Sequence, residues 1–92
     1  MEKKHSLKLI EGQFEPSQAR SLLFDLIGYK IRYHNSEAFS IKERYNGDIS
    51  YSLKRVSELK ESLAKLEDIL SYTVEKGLKL KVDSFIEISF VK

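Results

Sequence analysis

Between Tyr51 and Val91 the hydrophobic period of this chain changes once, across Gly77. Before it, Val56, Leu59, Leu63, Leu66, Leu70 and Thr73 recur at alternating steps of three and four. At 3.6 residues per turn those positions return to one face, so the segment predicts a long helix. After it, Leu80, Val82, Ile86, Ile88 and Phe90 all fall on even positions, the pattern of a strand with one dry face. Gly77 suits the left-handed position just past a helix end, with Leu78 folding back towards Val74 as in a Schellman motif. Leu53, Ile69 and Val74 widen the helical stripe, and it lasts under three heptads. Such a stripe fits a helix lying on a sheet better than a coiled-coil seam.

The first half of the chain is less regular. Leu7, Leu9 and Ile10 begin a strand that runs to about Phe14, and its alternation slips between Leu9 and Ile10, which suggests a bulge. Pro16 stops the ladder and suits the first turn of a helix, where its missing N–H costs nothing. Gln18 stands three residues beyond Glu15, a weak capping-box arrangement. Ala19, Leu22, Leu23, Leu26, Ile27 and Ile31 then share a face. Gly28 lies inside this helix at a cost of roughly 1 kcal/mol relative to Ala, and reads as a close approach of a second backbone.

From Asn35 to Ser50 the pattern dissolves into polar residues. Ser40-Ile41-Lys42-Glu43 matches a capping box and Asn46-Gly47 a helix end, so one short helical turn is expected inside a long loop. A hairpin turn at Asn46-Gly47 is rejected because no alternating strands flank it. Asp48, Ser50 and Ser52 are all competent caps for the second long helix, which leaves its start open.

The order strand, helix, helix, strand in 92 residues predicts a single α+β domain of two layers. Two long antiparallel helices would pack on one face of a small antiparallel sheet. Two strands alone are marginal and leave unpaired edges. Leu80 to Phe90 would span about 35 Å, longer than a strand beginning at Leu7 can cover. A second copy on a two-fold axis would give four strands, so a homodimer is expected.

Charge narrows the function. Sixteen basic residues nearly cancel fourteen acidic ones, and no segment is polybasic, which argues against a dedicated nucleic-acid or lipid binder. No cysteine is present, which removes disulfides, thiolate metal sites and a cysteine nucleophile. A secreted domain this small usually carries disulfides, so a cytoplasmic location is expected. No stretch nears the roughly 20 apolar residues of a membrane span.

The residues able to carry function cluster in the sequence around the expected end of the helical hairpin. His34 beside Glu37, Glu43 and Asp48 is the minimum for acid–base work or a metal site. A structural histidine stabilising a helix C-terminus is the stronger reading. Tyr29-Lys30-Ile31-Arg32-Tyr33-His34 and Arg44-Tyr45 interleave aromatic and basic groups, as single-stranded nucleic-acid sites do. Tyrosines half-buried at helix ends give the same pattern. No HExxH, Gly-rich phosphate loop or nucleophile elbow occurs. The sequence therefore predicts a non-catalytic protein-interaction or accessory module without cofactor or metal, binding through a sheet edge or the inter-helix loop. Tyr33, His34, Glu43, Arg44 and Tyr45 are its candidate surface. A small nucleic-acid-binding protein is the alternative.

Overall fold

The computed structural model describes residues 1–92, except for the side chain of Tyr45. Strand β1 (Lys4–Phe14) leads into helix α1 (Pro16–Tyr45), helix α2 (Ser50–Lys76) and strand β2 (Leu80–Ser89). The two helices pair as an antiparallel hairpin, and the strands form one antiparallel ribbon against them. This is the two-layer β-α-α-β arrangement that the periodicity predicts.

Helix α1 differs from expectation in length, since it runs 30 residues without a break at Asn35. The expected loop and its short turn are the second half of one helix, and Ser40 to Glu43 is not a cap but helix interior. The stripe in fact continues past Ile31 through His34 and Ala38, both buried, and half-buried Ile41. A histidine and an alanine hold core positions there, so an apolar count loses the trail. Glu37, Lys42, Glu43 and Arg44 are adequate helix formers, and no Gly or Pro interrupts. Asn46 ends the helix in the left-handed conformation, φ 47°, with its N–H on the Lys42 carbonyl at 3.2 Å and the Gly47 N–H on the Ile41 carbonyl at 3.4 Å.

At the start of α1, Pro16 holds the first helical position and the Glu15 N–H donates to Gln18 Oε1 at 3.0 Å. Asp48 opens α2. Its Oδ1 accepts from the Ser50 backbone N–H at 2.9 Å and from the Ser50 hydroxyl at 2.5 Å. These two bonds hold the Asp48 carboxyl below its ordinary range. Gly77 closes α2 at φ 65°, with the Leu78 N–H on the Thr73 carbonyl at 2.9 Å and the Gly77 N–H on Val74 at 3.3 Å. That is a Schellman end, although Leu78 and Val74 both stay largely exposed.

Gly28 departs from its reading as a backbone contact. A Cβ built there meets only the Arg32 guanidinium, at 3.3 Å, the far end of a flexible side chain. Gly28→Ala should therefore stabilise the protein, by about 0.5–1 kcal/mol, through the loss of backbone entropy in the unfolded chain. A urea midpoint no higher than that of the native protein would contradict this.

The ribbon is paired along its whole inner edge, from Lys4 opposite Ser89 to Phe14 opposite Leu80. The register shifts between Lys8 and Ile10, so Leu9 is the extra residue of a bulge, where the alternation slips. Because β1 starts at Lys4 and not at Leu7, it covers β2 fully, and the expected length mismatch between the strands does not exist. The N-terminal segment is also ordered by contacts: the Phe90 N–H donates to the Lys3 carbonyl at 3.1 Å, and the His5 ring meets Phe90 edge-on at 5.7 Å.

The core sits where helices and ribbon meet, beside Pro16 and Gly77. Ala19, Leu66 and Leu70 are buried there among Phe14, Leu23, Phe24, Ile27 and Leu80. Across the helical pair, Arg20 grips Glu67 with two bonds of 2.5 and 2.7 Å. The pair lowers the Glu67 carboxyl and raises the Arg20 guanidinium, but both groups are half in solvent, so its contribution to stability is modest.

Candidate functional site

The expected site divides in two. Tyr33 and His34 lie in the middle of α1, because that helix does not end at Asn35. Glu43 and Arg44 are exposed on its last turn, ten residues and about 15 Å further along the axis. Tyr45 closes the helix, and its side chain lies outside the described residues. The five residues thus share a helix but not a single pocket.

His34 is only 5% exposed. Tyr33 and Tyr51 meet its ring edge-on, with centroids at 5.3 and 6.3 Å. Its Nδ1 lies 3.7 Å from Glu37 Oε1, beyond a hydrogen bond, and neither ring nitrogen has a partner among the described residues. The Ser52 hydroxyl donates to the same Glu37 oxygen at 2.8 Å. That bond, aided by His34 and Tyr33 and opposed by desolvation, holds the Glu37 carboxyl below its usual range. A histidine inside the helix pair cannot neutralise a helix C-terminus, so the expected macrodipole role is replaced by a packing role. Ser52 belongs to this cluster, and its signal is its place four residues before Val56 on the α2 stripe. Lys30 lies over the Tyr33 ring at 4.7 Å, which occupies one face of that aromatic. Nothing here aligns a nucleophile with a base. Among the described residues no group of three or more His, Cys, Asp or Glu is placed to hold a metal ion.

The ribbon presents the larger unsatisfied surface. Its dry face carries His5, Leu7, Ile10, Gly12 and Phe14 on β1, opposite Ile88, Ile86, Ser84, Val82 and Leu80 on β2. The helices cover only the half nearest Pro16 and Gly77. In the far half Leu7 is 53% exposed, Ile86 41%, Ile88 43% and Phe90 57%. Single exposed apolar residues are ordinary, whereas four adjacent ones on one face form a patch. A separate apolar cleft of about 370 Å³ lies between ribbon and helices, where Leu9, Ile10, Leu23, Ile27, Leu59 and Ser84 meet. Sequence reasoning marks the even positions of β2 as a dry face but does not say how much of that face the chain itself covers. The patch residues are exposed because the helices pack only on the Phe14–Leu80 end of the ribbon, which periodicity does not encode.

Scanned against protein-family models, curated proteins and solved structures, the chain matches none. What the fold and surface define is a class: a β-α-α-β domain of two layers whose small sheet is half covered. Among the described residues no helix is long and apolar enough to cross a membrane.

Proposed function

We propose that this chain is a non-catalytic protein-interaction module that works as a homodimer and binds through its β ribbon. The observation that carries this reading is the exposure of Leu7, Ile86, Ile88 and Phe90 on the apolar face of a two-stranded sheet. A two-stranded ribbon is marginal by itself, and extension by another chain both pairs its free edge and covers its face. The inter-helix turn at Asn46 to Ile49 stays free for further contacts in such an assembly. A cytoplasmic setting belongs to the same reading, supported by the lack of cysteine. The nucleic-acid alternative has weaker support, because His34 is buried and the aromatic and basic residues are spread along α1.

Ile88→Asp tests the reading. Ile88 is exposed and far from the Ala19–Leu70 core, so the variant should keep its helical signal and its denaturant midpoint to within about 0.5 kcal/mol per isolated chain. A charge placed in a covered apolar patch should raise the dissociation constant of the assembly at least tenfold. A variant that associates as tightly as the native protein would remove the far ribbon from the binding surface.

A further inference from the structure

The two outer edges of the ribbon are not equivalent. The β1 edge is broken by the bulge at Leu9, which bends a strand and interrupts its ladder. It also carries Lys4 and Lys8, and lysine is a common means of blunting an edge. The β2 strand also carries a lysine, Lys81, but Leu80 to Ser89 runs without a bulge or a proline, so its ladder edge is unbroken. An edge left open in this way is the one suited to pairing.

Resting on the homodimer reading above, we infer that two copies join β2 to β2 in antiparallel fashion, with Ser84 on the two-fold axis. Symmetry and charge select the register. For both dry faces to lie on one side, each residue must oppose a residue of the same parity, so the axis passes through a residue. Axes at Ser84 or Phe85 pair nearly the whole strand, and registers centred elsewhere leave more of it unpaired. An axis at Phe85 sets Asp83 opposite the partner copy's Glu87, two like charges directly facing. An axis at Ser84 instead sets Lys81 opposite Glu87, twice by symmetry. On the dry face the same register sets Leu80 opposite Ile88 and Val82 opposite Ile86.

This register also accounts for the half-covered ribbon. Antiparallel pairing about Ser84 lays the exposed half of each β2 beside the covered half of the other. Each copy's helices, packed over Leu80 and Phe14, are thereby brought alongside the other's Ile86 and Ile88. Ser84 is the single polar residue on the dry face of β2 between Leu80 and Phe90. Its small side chain suits an axis position, where two copies of the same residue must face each other at about 4.5–5.5 Å between Cα atoms.

Ser84→Cys provides the test, since the native chain has no thiol. The Cα separation across such a pair lies within the range a disulfide spans. Mild oxidation of this variant at low concentration should yield a covalent dimer. Val82→Cys should not, because residues 82 of the two copies would stand four positions apart, about 13 Å. Charge reversal gives a second readout: Glu87→Lys and Lys81→Glu should each raise the dissociation constant several-fold, and an equimolar mixture of the two should restore it. A native protein that is dimeric, with no Ser84→Cys cross-link and no charge effect, overturns the β2 register and leaves the homodimer standing. The contact would then lie on another surface of the chain. A native protein that is monomeric overturns both.

Discussion

Leu70→Ala should lower the unfolding free energy by about 2–5 kcal/mol, the largest single loss expected of any substitution in this chain. Leu70 is 1% exposed and is the largest fully buried side chain. It stands on the α2 stripe against Ala19 of α1, with Phe14 and Leu80 of the ribbon packed on the same cluster. Truncation removes the apolar area of the side chain and leaves a cavity that two helices and two strands cannot all close. A domain of this size has about 5–15 kcal/mol in total, so the loss is a large share of its stability. Urea unfolding at matched protein concentration reads the difference. A midpoint shift worth less than about 1 kcal/mol would mean that the corner where helices meet ribbon is not the centre of stability.

The second large effect is expected at Gly77. Its φ of 65° and ψ of 35° are left-handed, and a Cβ built there has nothing within 4 Å. The penalty for a side chain is therefore one of backbone conformation alone and does not involve crowding. Gly77→Val should cost about 1–2 kcal/mol, because a β-branched residue resists this conformation. Gly77→Asn should cost clearly less, since Asn visits the left-handed region more readily. Equal losses for the two variants would point to some other role for the glycine, because the backbone argument requires them to differ.

Much of the fold was legible because its strongest elements have clean periods. The α2 stripe, the β2 alternation, the turn at Gly77, the Pro16 start and the bulge at Leu9 each rest on one physical rule acting within a few residues. What was not legible depends on contacts between elements. Helix α1 was read as ending near His34 because His34 and Ala38, not large aliphatics, carry its stripe into the α2 contact. Gly28 was read as a backbone contact, whereas its surroundings hold only the Arg32 side chain. Of the five candidate residues, Tyr33 and His34 come together with Tyr51, while Glu43 and Arg44 stand apart from them, a direct result of the unbroken helix. The extent of the ribbon patch was not legible for a different reason. Alternation shows that one face is dry, but how far the helices reach along the ribbon decides how much of that face this chain itself can cover.

The molar mass of the native protein in solution, followed by light scattering from micromolar to hundreds of micromolar, tests the central claim most directly. A homodimer built on the ribbon predicts twice the chain mass of 10.7 kDa at tens of micromolar, falling towards one chain mass on dilution. A mass of 10.7 kDa throughout that range would contradict it.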